Sequence, residues 1–260
     1  MAPKALVTGA GKRIGREMAL YLGQRGYEVA VHYSASANGA DEVVRQIREA
    51  GGQAVALQAD LLSAAETESL VPRAVDMLGG ALTLLVNNAS IFEYDTLASA
   101  TAESWDRHIG SNLRAPFFLT QAFAAQAPQA GKDDRGEAVA QALVVNIIDQ
   151  RVEKLTPEFM TYTIAKMGLW AFTRTAAQAL APMIRVNGIA PGPTLRGARQ
   201  DDEHYRRQRA ATILERGADP SDITAALGYL IEARSVTGQL LFVDGGQRLA
   251  WQTPGILGTK

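Results

Sequence analysis

The chain lacks several features that whole classes of function require. Its 260 residues include no cysteine, which excludes disulfides, thiolate metal sites and a cysteine nucleophile. The three histidines, His32, His108 and His204, are scattered without ligand spacing, so we expect no bound metal. No apolar run reaches membrane-spanning length. The formal net charge of −1 gives no reason to expect a nucleic-acid or membrane-surface binder.

Length and composition favour one sizeable α/β domain over residues 1–260, although length alone would allow two. The chain is 47% hydrophobic and 20% charged, which is enough to bury a substantial core. Its first residues enter an apolar strand at once and leave no room for a signal peptide. We therefore expect a cytoplasmic protein.

Apolar strands alternate with amphipathic helices along the whole chain. Predicted strands cover 4–8, 27–33, 54–58, 82–86, 142–148, 185–189 and 240–243. Predicted helices cover 14–24, 38–50, 63–78, 101–127, 159–180 and 220–232, and a polar loop covers 126–138. This alternation predicts a Rossmann-type, doubly wound parallel sheet of about seven strands with helices on both faces.

The first strand runs into a glycine-rich loop, TGAGKRIG, and then into a helix. Gly9, Gly11 and Gly15 have the spacing GxGxxxG. Small residues let backbone N–H groups approach a pyrophosphate at a helix N-terminus, whose dipole favours the anion. We therefore expect a nucleotide site here, although a glycine-rich turn without a ligand has the same pattern.

The second strand ends in HYSAS without the acidic residue that usually binds the ribose 2′-hydroxyl of NAD. Its absence removes repulsion of a 2′-phosphate. Ser34 and Ser36 can bind a phosphate, and Lys12 and Arg13 lie in the glycine loop. The pattern favours NADP over NAD. The alternative is that Lys12 and Arg13 are merely solvated and bind no phosphate.

Polar or small residues follow several other strands. Asp60 and Leu61 follow the third strand, where a side chain can bind the adenine; a plain turn acid is the alternative. The segment NNAS, followed by Ile91 and Phe92, ends the fourth strand, and APGPT ends the sixth. Such residues at the carboxyl ends of strands suit a ligand crevice.

Tyr162 and Lys166 are four residues apart in a predicted helix, so they lie on one face. A lysine ammonium beside a phenol favours the phenolate, and we expect it to lower the tyrosine pKa. That makes the phenol a better proton donor and acceptor near neutral pH. Asn112 and Pro116 interrupt another helix, where we expect Pro116 to kink it and Asn112 to bind freed backbone or hold a water.

The motifs TGAGKRIG, NNAS, Asn112, YTIAK and APGPT resemble, in order and spacing, the short-chain dehydrogenases/reductases over essentially the whole chain. The resemblance implies an NAD(P)-dependent oxidoreductase with Tyr162 as acid/base. Lys166 binds the nicotinamide ribose and lowers the tyrosine pKa, and Asn112 holds a water that relays protons. It also implies a substrate-covering segment at about 193–219 and a homotetramer built through the helices of Asn112 and Tyr162 and the C-terminal strand region. The implied cofactor-binding residues are Gly9, Gly11, Lys12, Arg13, Ile14, Gly15, His32, Tyr33, Ser34, Asp60, Leu61, Asn88, Ala89, Ser90, Tyr162, Lys166, Pro191 and Gly192.

One position departs from the family pattern. Thirteen residues before the tyrosine, Asp149 replaces the serine that normally donates a hydrogen bond to a substrate carbonyl. An ionised aspartate only accepts hydrogen bonds and repels a phenolate, so it does not suit ketone reduction. It suits a substrate that offers ring N–H or amino donors, or that needs a proton on a ring nitrogen. Hydride addition to a C=N bond makes that demand.

The chain is most similar to a subgroup with this feature, the pteridine reductases and the related dihydromonapterin reductases. They share KRIG, the strand end HY and a Phe after NNAS. The resemblance implies NADPH-dependent reduction of a dihydropterin to the tetrahydro form. Phe92 stacks the pterin against the nicotinamide, while Ser90 and Arg13 contact pterin or cofactor phosphate. Tyr162 supplies the proton to the ring nitrogen, and Asp149 binds or protonates the heterocycle.

Other interpretations stay open from the sequence. Pteridine reductases often have an arginine where Ala35 stands, so strict NADPH preference does not follow. Asp149 is alternatively a structural acid and Phe92 ordinary packing. The chain is then a carbonyl reductase of a ketone, sugar or 3-oxoacyl substrate. A catalytically inactive nucleotide-binding protein on the same fold is a further alternative.

Overall fold

A computed structural model describes residues 2–197 and 201–251. The strands are β1 (Lys4–Val7), β2 (Glu28–Tyr33), β3 (Ala54–Gln58), β4 (Leu84–Asn87), β5 (Gly131–Lys132), β6 (Ala138–Val139), β7 (Ala142–Ile147), β8 (Ile184–Pro191) and β9 (Leu240–Val243). The α-helices are α1 (Arg13–Gln24), α2 (Ala37–Glu49), α3 (Ala64–Leu78), α4 (Ala102–Ile109), α5 (Ala115–Gln126), α6 (Met160–Leu180), α7 (Asp202–Ala210) and α8 (Pro220–Glu232). A π-helical turn covers Gly110–Arg114, and 3₁₀ turns cover Gln150–Val152 and Gln247–Leu249.

Seven strands form one parallel sheet in the order β3-β2-β1-β4-β7-β8-β9, which confirms the predicted Rossmann-type architecture. Successive side chains of a strand point to opposite faces. In β1, Ala5 and Val7 accordingly join one apolar cluster, whereas Leu6 joins the other. Both faces of the sheet are therefore buried, as in parallel sheets generally.

Helices cover both faces of the sheet. Leu22 of α1, Ile47 of α2 and Leu227 of α8 pack in the cluster on one face. Leu70 of α3 and Phe123 of α5 pack in the cluster on the other. Each side chain is almost fully buried, and burial of one such group contributes about 2 kcal/mol.

The helix predicted over 101–127 is confirmed from Ala102 to Gln126, although its middle turn, Gly110–Arg114, is π-helical. A capping box between Thr101 and Ser104 starts α4, and the π-helical turn separates α4 from α5. Pro116 lies in the first turn of α5, directly after the π-helical turn. A π-helical turn of this kind leaves no distinct pattern in the sequence.

The segment predicted as a loop at 126–138 contains the small antiparallel pair β5 and β6. Its turn is held by Asp133 Oδ1, which accepts the backbone N–H groups of Arg135 and Glu137, both at 2.9 Å. Strands of two residues are too short to show an alternating pattern, so the sequence alone did not reveal them.

In residues 2–197 and 201–251, no helix combines the length and apolar character needed to cross a bilayer. No three His, Asp or Glu side chains in those ranges are grouped so that they could hold a metal ion.

The strand order reverses between β1 and β4, since β2 and β3 lie on one side and β7 to β9 on the other. In open α/β sheets, ligands bind outside the carboxyl ends of the strands at such a point. The loop after β1 lies here, and α2 packs closely on it. A Cβ on Gly39 would lie 2.2 Å from the carbonyl oxygen of Gly11.

Candidate active site

The glycine loop after β1 is shaped by close backbone contacts. Gly9 has φ +64°, a conformation that favours glycine. A Cβ on Gly15 would lie 2.3 Å from Gly9 O and 2.5 Å from Asn88 Nδ2, so only glycine fits. Helix α1 then begins with no acidic residue in its first turn, beside an exposed Lys12. The loop and helix end fit a pyrophosphate.

The end of β4 is tied to the same loop. Thr8 Oγ1 accepts the backbone N–H groups of Asn88 and Ala89, both at 2.9 Å. Asn88 Nδ2 donates to the carbonyl oxygen of Thr8 at 2.8 Å. These bonds fix NNAS and the glycine loop as one unit at the crevice.

His32 supports the glycine loop from inside the protein. Its Nδ1 accepts the Gly9 N–H at 3.0 Å, and its Nε2 lies 3.0 Å from the carbonyl oxygen of Ala59. Because a carbonyl only accepts, Nε2 carries the proton and the ring is neutral. Burial lowers the pKa of His32 to about 4. Both ring nitrogens are thus occupied by backbone, so His32 positions the loop rather than offering a nitrogen to a cofactor.

The residues predicted to bind the adenosine end of the cofactor differ from one another in their surroundings. Ser34 is exposed, and the Ser36 hydroxyl makes no capping bond to α2, whose first turn has no acid. Tyr33 packs partly against the core. Asp60 Oδ1 accepts the N–H of Leu62 at 3.0 Å, and Leu61 is buried. The Asp60 carboxylate is thus engaged in a turn, as the plain-turn alternative expects.

Arg13 binds backbone carbonyl groups in this structure, whereas the sequence predicted that it contacts a cofactor phosphate or a pterin. Its guanidinium donates to the carbonyl oxygens of Leu195 at 3.2 Å and Arg196 at 2.8 Å. It therefore links the glycine loop to the segment that follows β8. Ile14, the next residue, packs partly against the apolar core.

The end of β8 and the segment after it close the other side of the crevice. The Gly192 N–H donates to Val243 O at 3.0 Å, and a Cβ on Gly192 would lie 2.6 Å from the Cα of Asp244. Arg209 of α7 donates to Pro193 O at 3.1 Å, and Tyr205 Oη donates to Thr194 O at 2.7 Å. Pro191 is buried at the end of β8. Residues 198–200 of the predicted substrate-covering segment lie outside the described part of the chain.

Tyr162, Lys166 and Asp149 come together where β7 ends beside α6. Tyr162 Oη donates to Asp149 Oδ2 at 2.9 Å. Asp149 Oδ1 accepts the backbone N–H of Arg151 at 2.9 Å. Lys166 Nζ donates to Ile147 O at 2.8 Å and lies 5.6 Å from the centre of the Tyr162 ring.

The electrostatics of these three residues overturn one expectation. Burial, followed by the charge and hydrogen bond of Asp149, raises the pKa of Tyr162 well above its ordinary value. The predicted lowering by Lys166 is wrong for this structure, because the ammonium is directed at Ile147 O and Asp149 accepts the phenol proton. Burial also raises the pKa of Asp149 and lowers that of Lys166 to about 8.

Asn112 is fully buried in the π-helical turn. Its Oδ1 accepts the Ile91 N–H at 2.9 Å, and its Nδ2 donates to Ile91 O at 2.8 Å. Both ends of the side chain therefore bind the backbone of one residue, Ile91, in the loop after β4, as expected of an Asn that binds backbone. A proton-relay water at Asn112 stays a prediction.

An aromatic cluster lines the site beside Tyr162, and the sequence did not predict most of its members. Phe92 stacks on Phe159 with ring centres 4.3 Å apart and planes at 7°. Phe92 also contacts Tyr162 edge-on at 4.7 Å, and Tyr94 contacts Phe159 edge-on at 5.2 Å. The guanidinium of Arg151 lies 4.7 Å from the centre of the Phe159 ring. Phe92 was predicted here; the other three partners depend on chain segments that meet only in the fold.

A buried polar network behind this cluster joins the loop after β4 to the start of α6. Thr161 Oγ1 and N–H both donate to the carboxylate of Asp95, and the Phe159 N–H donates to Asp95 O at 2.8 Å. His108 Nε2 accepts the Glu93 N–H at 3.1 Å, so Nδ1 carries the proton and donates to Thr161 Oγ1 at 2.7 Å. The network thus fixes the two segments that present Phe92 and Phe159.

Comparisons with known proteins agree with this geometry. A family model described as short chain dehydrogenase matches residues 3–206. The structure of FolM alternative dihydrofolate reductase 1 from Brucella suis, in complex with NADP, is similar with a TM-score of 0.90 and 42% identity, over 97% of this chain and 98% of that one. The angucycline C-6 ketoreductase LanV with bound NADP is similar with a TM-score of 0.85 and 30% identity, over 95% of this chain and 96% of that one. The 3-oxoacyl-[acyl-carrier-protein] reductase FabG of Staphylococcus aureus is 32% identical over 95% of this chain and 98% of its own.

The buried network yields a prediction for stability. We expect Thr161→Val to lower the free energy of unfolding by about 2 kcal/mol, because the Asp95 carboxylate and the His108 N–H lose their shared hydroxyl. Urea unfolding measures this change. Thr161→Ser, which keeps the hydroxyl and loses only a buried methyl group, is the control and should cost about 0.8 kcal/mol. An unchanged midpoint for Thr161→Val would show that the network contributes nothing.

The raised pKa of Asp149 yields a second prediction, with a defined pH dependence. Because the folded pKa lies above the unfolded one, the folded state holds more protons between the two values, and stability falls as pH rises through that window. Asp149→Asn removes the free-energy cost of ionising a buried carboxyl group. The new amide can still form hydrogen bonds with Tyr162 and Arg151. We expect it to raise the free energy of unfolding at pH ~7 by about 1 kcal/mol, a usual gain from relieving a functional site.

The same urea experiment at about pH 4, the ordinary range of a carboxyl group, is the control for Asp149→Asn. The gain should shrink there, because the carboxyl of the original protein is then largely protonated in the folded state. A gain of equal size at both pH values, or a loss at neutral pH, contradicts the raised pKa.

Proposed function

The chain belongs to the short-chain dehydrogenase family, and we propose that within it the protein is an NADPH-dependent reductase of a C=N bond in a pterin-like substrate. The observation that carries the proposal is the hydrogen bond from Tyr162 Oη to Asp149 Oδ2. Asp149 occupies the position at which the family's ketone reductases present a donor hydroxyl. Here that position accepts the phenol proton instead. The identity of 42% to an alternative dihydrofolate reductase supports the same substrate class.

The crevice fits the adenine dinucleotide. In this proposal, the pyrophosphate lies against the loop of Gly9, Gly11 and Gly15 and the N-terminus of α1. Lys12 and Ser34 bind the 2′-phosphate. The B. suis and LanV proteins were both solved with NADP, which supports the same choice here. Asp60, Leu61, Asn88, Ala89, Ser90, Pro191 and Gly192 line the rest of the proposed cofactor site. His32 acts indirectly, by holding Gly9.

The chemistry of the proposal requires a hydride on carbon and a proton on nitrogen. NADPH, when bound, supplies the hydride. Tyr162 gives its phenol proton to the ring nitrogen of the substrate. Asp149, whose pKa is raised by burial, favours the protonated carboxyl and can return a proton to the phenol across the 2.9 Å hydrogen bond. Lys166 binds the nicotinamide ribose, and its charge stabilises the negative charge that develops at this pair when the proton leaves.

Phe92 provides the platform for a flat heterocycle. It is 49% exposed although it stacks on Phe159, so part of its ring is open to a ligand. Ser90 is exposed beside Tyr162, and its hydroxyl lowers the pKa of that phenol. Stacking on an aromatic ring, with the oxygens of Ser90 and Asp149 as hydrogen-bond acceptors, suits a planar substrate that offers ring N–H or amino donors. Arg13 reaches this substrate only if it leaves its carbonyl partners.

A carbonyl reductase is the second candidate function. It is favoured by the similarity to LanV and to FabG, which act on keto groups by name. The feature against it is the Asp149 position, which accepts the hydrogen of the Tyr162 phenol instead of offering a donor hydroxyl to a carbonyl. A catalytically inactive protein is less consistent with the retained Tyr162, Lys166 and Asn112.

We also propose a cytoplasmic homo-oligomer, in line with the family resemblance. Exposed apolar side chains lie on the two helices that the resemblance assigns to subunit contacts. Phe117 of α5 is 43% exposed, and Ile164 and Met167 of α6 are 43% and 40% exposed. Such a surface is compatible with a partner of the same kind.

Turnover of defined substrates tests the proposal. Purified protein with NADPH should reduce 7,8-dihydropterins faster than a panel of ketones and 3-oxoacyl esters. Tyr162→Phe should retain NADPH binding but lose turnover by about 100-fold or more, because general-acid catalysis contributes that much. Asp149→Ser is the matched variant, and we expect it to lower dihydropterin turnover while raising ketone turnover. Reduction of ketones alone by the original protein contradicts the proposal.

A further inference from the structure

Arg13 joins two loops that leave the sheet at different strands. It lies in the glycine loop after β1, and its guanidinium donates to Leu195 O at 3.2 Å and to Arg196 O at 2.8 Å. Leu195 and Arg196 follow β8, and the strands β4 and β7 lie between β1 and β8 in the sheet. Three strand spacings of about 4.8 Å separate β1 from β8, so the bridge closes a gap of roughly 14 Å across the carboxyl ends of both intervening strands.

The ends of β4 and β7, which the bridge crosses, carry residues of the candidate active site. The segment NNAS follows β4, and Asp149 follows β7 beside Tyr162 and Lys166. Arg13 and both of its hydrogen bonds are exposed, which places the bridge on the solvent side of these residues. A dinucleotide that runs from the N-terminus of α1 to Lys166 therefore lies between the sheet and the bridge.

The backbone of Arg13 has an unusual conformation. Its φ is +55°, in the left-handed region, which a non-glycine residue adopts at a cost in conformational energy. Such a conformation persists only where the surrounding structure holds it, and it recurs at ligand clamps and switch segments. The two hydrogen bonds of the guanidinium to the opposite loop are contacts of this kind. The conformation thus points to a function for the side chain of Arg13.

Side chains hold four successive carbonyl groups after β8. Arg209 donates to Pro193 O at 3.1 Å, and Tyr205 Oη donates to Thr194 O at 2.7 Å. The next two carbonyl groups are those that accept from Arg13. Arg209 and Tyr205 belong to α7, on the same side of the crevice as these carbonyl groups, whereas Arg13 reaches them from the other side. Of these three donors, Arg13 is therefore the one that closes the crevice.

We propose that Arg13, Leu195 and Arg196 form a strap over the bound cofactor, and that the strap opens whenever NADP(H) enters or leaves. The inference concerns the cofactor and goes beyond the proposed function, because it applies to a pterin and a ketone substrate alike. Exposed hydrogen bonds to neutral carbonyl groups suit a contact that must break and form again, since water can take the place of either partner.

A strap and a phosphate contact at Arg13 have different kinetic consequences. The strap makes the same hydrogen bonds in the free and the cofactor-bound protein, so its loss lowers the barrier to exchange more than it changes Kd. A bond to a cofactor phosphate exists only in the complex. Its loss therefore raises Kd, mainly through a faster dissociation. The association and dissociation rates of NADPH separate the two roles, and neither rate requires a substrate.

Stopped-flow fluorescence of NADPH, with displacement by excess NADP for the dissociation rate, tests the strap. We expect Arg13→Gln to raise both the association and the dissociation rate by about tenfold, as loss of a hydrogen bond from a charged group predicts. Kd should change by less than either rate. Tyr205→Phe is a second variant, which frees Thr194 O and leaves Arg13 in place. It should accelerate both rates in the same direction but less.

Arg16→Gln is the matched control, because it removes the same charge from the next turn of α1. Arg16 bonds Glu17 at 2.6 Å and Gln46 at 3.1 Å, on its own side of the crevice, so both rates should stay those of the original protein. A higher Kd for Arg13→Gln with an unchanged or slower association would show a phosphate contact and overturn the strap. Unchanged rates in Arg13→Gln or in Tyr205→Phe, or an equal acceleration by Arg16→Gln, would also overturn it.

Discussion

The hydrogen bond between Tyr162 and Asp149 is the interaction on which the proposed chemistry depends. The pair is buried, so each group is harder to ionise than in water. The bond also fixes the direction of the phenol proton, towards the carboxylate at 2.9 Å. A serine hydroxyl at the same position would donate instead of accept, and the site would then present a hydrogen-bond donor to a carbonyl oxygen.

The rest of the fold keeps this pair and its aromatic neighbours in place. Strand β7 delivers Asp149, and α6 delivers Tyr162 one turn before Lys166. The loop after β4 is held from behind by Asn112 through Ile91, and by the Asp95 carboxylate through the start of α6. These contacts are buried polar bonds, which are costly to leave unmade and therefore specify one arrangement.

The sequence predicted the sheet and the shared helix face of Tyr162 and Lys166 because their signals are local. Strand-helix alternation and the glycine spacing depend on neighbouring residues, and Tyr162 and Lys166 share one helix turn. Tertiary contacts decided the remainder. The direction of the Tyr162 pKa shift depends on burial and on the Asp149 carboxylate, and the stack of Phe159 on Phe92 joins segments far apart in the chain. The engagement of His32 and Arg13 with backbone carbonyls and N–H groups likewise has no counterpart in residue spacing.

The ionisation of Tyr162 in the cofactor-free protein tests the central claim most directly. The tyrosinate absorbance of the original protein, minus that of Tyr162→Phe, gives the titration of this one phenol. We predict an ionisation above the ordinary tyrosine pKa of about 10, which Asp149→Asn shifts downwards because the carboxylate charge is gone. Ionisation of Tyr162 below about 10, or a titration that Asp149→Asn leaves unmoved, would contradict the account.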